Sequence, residues 1–437
     1  MKGSVLLFSA IVLTLIGTSC FAGISQKPSD SNTPRQLQDY LRYSALNNAS
    51  LKATFERWKA AIEKIPQAQA LPDPKFTYSY FIREVETRVG PQRHKFGIMQ
   101  VFPWFGKIEA RTDAASAEAK AARKRYEAEK LKLFWQVKEA FYEYLYLASA
   151  VKIAKHNLEL LKHFEEVTRT RYMAAAGTHP DVIRAQVELA KLEDVLKSLE
   201  ELRKPIVAKL NSILNRQSSE LLPWPVKEEL RRVVVGRQEI ITLLKQINPE
   251  LAAIDFEVTA AKSKLELAKK QFYPDVGVGL DWIETGGAVS QGVSDSGRDP
   301  VILMFSMNLP IWSESYKAAE QQAKSVLRKT EQQRTEAENT IVARAEQVLY
   351  ELEDSSRKIK LYSDVLVLKA EELLEASETA YRAGTIDFLS LIDAQRTVLN
   401  FQLQYERAIT DNQQKLAELE MLVGRELTTD ARESAEE

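Results

Sequence analysis

Two stretches of this sequence repeat apolar and polar residues at helical spacing for about 70 residues each, without a proline or glycine. The first covers 107–176 and the second 313–383. Both are rich in Ala, Glu, Lys, Leu and Arg, the residues that lose least on entering a helix. At 1.5 Å per residue, each predicts a rod of about 105 Å. The average globular helix is only about 11–12 residues long. Each run meets a Gly-Thr pair, Gly177-Thr178 and Gly384-Thr385. A glycine there predicts a left-handed residue that ends the helix. Shorter helical runs follow over 181–215 and 387–423, with Asp181 and Asp387 as candidate N-caps. Pro205 falls inside the first of these and predicts a bend.

Two windows switch from the helical period to a period of two, the signature of a strand. In the first, Phe76, Tyr78, Tyr80 and Ile82 alternate with other residues; a polar segment, 83–95, and a second run, 96–102, follow. In the second, residues 276–282 alternate large apolar residues with Gly and Asp. A Gly/Ser-rich loop over 286–297 separates them from Val301, Leu303, Phe305, Met307 and Leu309. Each window predicts a two-stranded hairpin, about 76–102 and about 275–309. Strands of about 7–10 residues suit a membrane barrel, whose strands need about 9–11. Phe76, Tyr78, Trp104, Tyr273, Trp282 and Trp312 suit its aromatic girdles. Soluble hairpins capping a helical bundle are the competing reading.

The two windows stand at matching places in a duplicated chain. Phe102-Pro103 matches Leu309-Pro310 at an offset of 207, and Gly177 matches Gly384 at the same offset. Gln186 matches Gln395 at 209, which places a two-residue gap between these anchors. Pro72-Asp73 matches Pro274-Asp275 at 202. The expected organisation is a first repeat over 23–216, an equatorial segment over 217–248, a second repeat over 249–425 and a C-terminal tail over 426–437. Four strands per chain cannot close a barrel, and lipid tolerates no open sheet edge. Three copies would give 12 strands, while two or four copies would also give an even count.

The beginning of the chain reads as a signal peptide over 1–22. Lys2 is followed by a short apolar run and by small residues around Cys20 and Ala22. Cleavage before Cys20, leaving a lipid-anchored N terminus, is the alternative. No later stretch is long and apolar enough for a transmembrane helix.

Composition narrows the function classes. The 437 residues carry 60 Lys+Arg against 61 Asp+Glu, a net charge of −1, which leaves no basic footprint for nucleic acid. The single cysteine excludes a disulfide framework. His156 and His163 share a helix face but lack a third metal ligand. Met99, Met304 and Met307 fall in strands and read as barrel packing, and Glu371-Glu372 as a solvated face. No phosphate loop, nucleophile elbow or zinc helix motif occurs. The sequence therefore predicts neither an enzyme nor a cofactor.

The sequence resembles the outer membrane factor family, the TolC-like efflux ducts. The resemblance spans about 37–426. It is carried by Leu71-Pro72-Asp73-Pro74, by residues 172–186, and by Tyr381-Arg382-Ala383-Gly384-Thr385 with 389–395. Residues 100–107 look like the strand-to-helix junction of the heavy-metal branch. The resemblance implies a mainly α chain with a small β part. It implies a homotrimer with a 12-stranded barrel in the outer membrane of a Gram-negative bacterium, standing on an α-helical periplasmic tunnel. An equatorial collar would use 217–248 and the tail. A periplasmic adaptor and an inner-membrane pump of the RND type are the implied partners, with outer-membrane lipid around the barrel. Metal cations or drugs are the implied cargo. A type I protein secretion duct is the alternative, and a periplasmic coiled-coil adaptor or scaffold a more distant one.

In that family the tunnel closes at the helix tips. The resemblance carries a closing hydrogen bond onto Tyr381 and Asp181. It carries an acidic aperture ring onto Asp393, with Ser390 at the second ring position and Ile386 where a charged latch would stand. The four turn residues Gly177, Thr178, Gly384 and Thr385 mark the tips.

Overall fold

The computed structural model describes residues 34–227, 230–231 and 236–427. The expected signal peptide, Cys20, and all of the tail after Leu427 lie outside the described residues. Three short helices open the described chain: α1 (Leu37–Asn47), α2 (Ala49–Ile62) and α3 (Lys64–Gln69). Strands β1 (Lys75–Val85) and β2 (Gln92–Phe102) lead into α4 (Lys107–Met173), and α5 (His179–Leu214) returns beside it. The order then recurs: α6 (Arg237–Ile247), α7 (Pro249–Lys270), β3 (Val276–Thr285), β4 (Val301–Met307), α8 (Ser313–Leu361), α9 (Val367–Arg382) and α10 (Phe388–Val423).

The 67 residues of α4 make a helix of about 100 Å. Its charged residues are offset by a buried seam of small ones, including Ala110, Ala114, Ala117 and Ala121, against which α7 packs closely. The second long run is not uninterrupted. Between α8 and α9 lies one π-helical turn, Tyr362–Leu366, where Tyr362 sets its ring edge-on to Phe401 of α10. Such turns slip the side-chain register of an otherwise continuous helix. Helix α5 continues through Pro205, which sits on an exposed face where water can serve the carbonyl freed by the missing N–H.

The four strands form one antiparallel sheet in the order β1-β2-β3-β4. Strands β1 and β2 run further into the polar segment than the sequence predicts. Val85 pairs with Gln92, and Arg93 donates to Glu84 at 3.0 Å across the hairpin. Cross-strand charge pairing lets polar residues extend a strand that apolar alternation alone would end. The register aligns Phe76, Ile98, Leu280 and Leu303 in one row, and Tyr78, Phe96, Trp282 and Val301 in the next. Apart from Gln100 and the His94–Glu284 pair, that sheet face is apolar and aromatic. The opposite face carries Thr77, Ser79, Lys95, Gly97, Gly277, Gly279, Asp281 and Ser306.

Three buried clusters hold the helices. Tyr40, Phe141, Tyr144 and Leu210 join α1, α4 and α5. Ile240, Leu251, Val348 and Leu419 join α6, α7, α8 and α10. Leu161, Phe164, Tyr381 and Phe388 join α4, α9 and α10 near the turns.

Two asparagines do the same work in both halves. Asn48 caps α2 by accepting from the Leu51 N–H at 2.9 Å and donates to the Ile213 carbonyl at 2.9 Å. Asn248 caps α7 through the Leu251 N–H at 2.9 Å and donates to the Leu422 carbonyl at 2.7 Å.

Candidate functional site

The helix tips are built by two turns with one hydrogen-bond pattern. At the end of α4, Ala174 N–H donates to Thr170, Ala175 to Tyr172 and Ala176 to Arg171, at 2.9–3.1 Å. At the end of α9, Ala383 donates to Thr379, Gly384 to Tyr381 and Thr385 to Ala380, at 2.9–3.0 Å. Every member of the second set lies 209 residues after its counterpart. The left-handed residues are accordingly Ala175 (φ 57°) and Gly384 (φ 77°). Gly384 fulfils the sequence expectation and Gly177 does not. The Gly-Thr match at 207 is thus two residues out of structural register at this turn, and the two-residue gap lies before it. A Cβ in the left-handed region costs about 1–2 kcal/mol. Ala175→Gly is expected to stabilise the turn by about 1 kcal/mol. Slower hydrogen exchange at Ala174–Ala176 would show it, and unchanged exchange would refute it.

The same offset corrects the expected caps. Thr178 is the N-cap residue of α5, matching Asp387 of α10. Asp181 stands in the first turn of α5, and its carboxylate accepts from the Thr178 hydroxyl at 2.7 Å and pairs with Arg184 at 3.5 Å. Asp387 does cap: it accepts from the Ser390 N–H at 2.9 Å and the Ser390 hydroxyl at 2.7 Å. Those bonds hold its carboxyl below the ordinary range. Ser390 therefore serves Asp387.

Tyr381 does not reach Asp181. Its ring is buried edge-on against Phe388, with centroids 5.6 Å apart, and its hydroxyl donates to Thr168 Oγ1 at 3.3 Å. The group that ties the two tips is one the sequence reading missed, Arg171. Its guanidinium donates to the carbonyls of Tyr381 and Arg382, the latter at 2.9 Å, and to Ala176 at 3.0 Å. It also lies 4.8 Å from the centre of the Tyr381 ring. The last carbonyls of a helix lack intrahelical partners and carry partial negative charge. One forked cation thus serves the C-termini of both α4 and α9. Only its place three residues before the α4 C-cap, Ala174, with a basic residue favoured there, could have suggested it from sequence. Its counterpart 209 residues on is Ala380, so the clamp occurs once per chain.

Asp393 is 63 % exposed and pairs with Arg396 at 3.3 Å. Arg396 also binds Glu188 of α5 at 2.7 Å. Burial pushes the Glu188 carboxyl up, but Arg396 and Lys191 outweigh it and hold it below its ordinary value. His163 meets Arg382 at 2.8 Å and Glu378 at 3.6 Å. Among the described residues no group of three or more metal-ligating side chains occurs.

The sheet end has its own fixed points. Lys95 pairs at 2.5 Å with Asp281, whose side chain is buried. Gly97 lies against that carboxylate, where any Cβ would collide with Oδ1. Met99 and Met304 flank Gly279 on this face, while Met307 lies on the apolar one. Below the sheet, Asp275 accepts from Trp104 N–H at 2.9 Å and from buried Lys107 at 2.7 Å. Trp104 stacks on Tyr273 there, with centroids 5.5 Å apart. The start of α4 is thereby fastened to the start of β3.

A sheet with one lipid-compatible face, set on paired helices of about 100 Å that end in clamped turns, defines an outer-membrane duct of the TolC-like class. The sequence pattern described as outer membrane efflux protein matches residues 41–216 and 240–425. The chain belongs to that family and is an efflux channel of the outer membrane. It is 21% identical over 420 residues to the cobalt-zinc-cadmium resistance protein CzcC of Cupriavidus metallidurans, covering 91% of this chain and 92% of that one. Among solved structures, VceC of Vibrio cholerae superposes with a TM-score of 0.73 at 18% identity, covering 90% of this chain and 96% of the other. The open state of the MtrE channel of Neisseria gonorrhoeae superposes with a TM-score of 0.73 at 18% identity, covering 90% of each chain.

Proposed function

We propose that three copies of this chain close a 12-stranded barrel, and that the trimer receives cargo from an inner-membrane pump through a periplasmic adaptor. The observation that carries this reading is the four-stranded sheet with an apolar outer face and an open edge on both β1 and β4. The channel is passive: it does no chemistry and needs no cofactor. The duplicated halves supply alternate strands pairs and helix pairs around the ring. Likeness to CzcC favours divalent metal cations as cargo over drugs.

The helix tips are the gate in this reading. Arg171 holds the two turns of one chain together, and Tyr381 supports it from below. Asp393 lines the aperture, where carboxylates from three copies favour cations over anions. The ion pair with Arg396 moderates that field. The mature protein is expected in outer-membrane fractions as a trimer with discrete conductance in planar bilayers, and Asp393→Ala is expected to lower its cation selectivity. Recovery as a soluble periplasmic protein would overturn the duct. Unchanged selectivity would remove Asp393 from the aperture.

A further inference from the structure

The duplication fixes how one copy meets the next. Within the chain, hairpin β1–β2 pairs residues from Lys75 to Tyr80 with partners whose numbers sum to 174, as Phe76 with Ile98, before a register shift ahead of Val85, and hairpin β3–β4 pairs residues summing to 583, as Val278 with Phe305. The difference is 409. The sequence anchors give 202 from β1 to β3 and 207 from β2 to β4, and these also add to 409. Two independent registers therefore agree with one equivalence of strands.

The seam between the halves, β2 with β3, pairs residues summing to 378, as Phe96 with Trp282. Its counterpart between copies is β4 with β1. Carrying the seam across by the same offsets gives 378 plus 207 minus 202, or 383.

We propose that β4 of one copy pairs antiparallel with β1 of a second copy in the register Val301–Ile82, Leu303–Tyr80, Phe305–Tyr78 and Met307–Phe76. This rests on the barrel reading above and adds its residue pairing. All eight side chains are large, apolar or aromatic, and exposed in the single chain. A slip of one residue would set Thr77 or Ser79 among them, because side chains alternate faces along a strand. The offsets come from prolines, aspartates and hairpin registers, so the placement of all four pairs on one face checks that the register is not slipped by one residue, and the cross-linking below separates it from slips of two. On the inner face the same register sets Met304 beside Ser79 and Ser306 beside Thr77. The occupant is a second copy because its β1 alone offers an open edge of the same duplicated seam, and lipid leaves no backbone edge unpaired.

The test is cysteine cross-linking in isolated outer membranes. Met304→Cys combined with Ser79→Cys is expected to convert monomer to linked chains under mild oxidant, seen on non-reducing gels. Within one chain β1 and β4 are three strand spacings apart, about 14 Å, too far for a disulfide. Linked species therefore report contact between copies. Met304→Cys with Thr77→Cys, Phe81→Cys or Arg83→Cys samples the registers that keep the same face. Preferential linkage in any of these, or none in the Ser79 variant while trimers persist in the membrane, overturns the register. Absence of trimers from the membrane fraction would instead overturn the barrel reading.

Discussion

Arg171→Ala is expected to raise the conductance of the isolated channel and to sensitise cells to bulky antibiotics that the intact tip excludes. The guanidinium serves three carbonyls at two helix ends, with the Tyr381 ring beneath it. A hydrogen bond to a charged group contributes about 1.5–3 kcal/mol. Losing the clamp removes at least one such contribution after water has compensated the rest. A loss of about 3 kcal/mol shifts a two-state equilibrium about 100-fold. Arg171→Lys is expected to recover little, because an ammonium lacks the planar fork that bridges separated carbonyls. Tyr381→Phe is expected to be mild: it removes one hydroxyl contact of 3.3 Å and leaves the ring in place. Single-channel recordings decide the matter. Wild-type conductance in an intact Arg171→Ala trimer would remove the clamp from the gate.

The largest effect on stability is expected from Lys138→Ala. Lys138 of α4 and Glu420 of α10 form a buried pair at 2.5 Å, with side chains 7 % and 5 % exposed. Glu420 also accepts from the Leu427 N–H at 3.3 Å, which ties the chain beyond α10 to the same point. Removing one partner of such a pair leaves a buried charge and costs about 3–5 kcal/mol. Lys138→Met with Glu420→Leu is expected to recover most of the loss, because an apolar pair of similar volume needs no desolvation of charge. Thermal dissociation of the detergent-solubilised trimer measures both. A Lys138→Ala trimer as stable as wild type would show that the pair is solvated in the assembly. The site also bears on function, since α4 and α10 run from this point to the tips that carry Arg171 and Asp393.

The turns show how far local sequence reaches. Gly384 was legible because a glycine after a long helix satisfies the left-handed residue on its own. The first turn misled for the same reason: Gly177 offered itself, yet the hydrogen bonds put Ala175 in the left-handed place. The cap at Asp387 is a contact over three residues, and sequence found it. Asp181 met the same residue preference but stands three residues past the N-cap, Thr178. Arg171 binds carbonyls 210 and 211 residues away, a distance at which no periodicity carries information. Tyr381 was singled out, but its partner proved to be Thr168.

Helix and strand, and which residues share a face, were determined by sequence alone, because they depend on periods of 3.6 and 2 that neighbours enforce. The duplicated order was equally open to reading. Tertiary structure decided which turn residue goes left-handed, which cation closes the tips, where the π turn falls and which charges are buried as pairs. Those outcomes depend on packing between segments some 200 residues apart, where desolvation and hydrogen-bond geometry choose among residues that local propensity leaves equivalent.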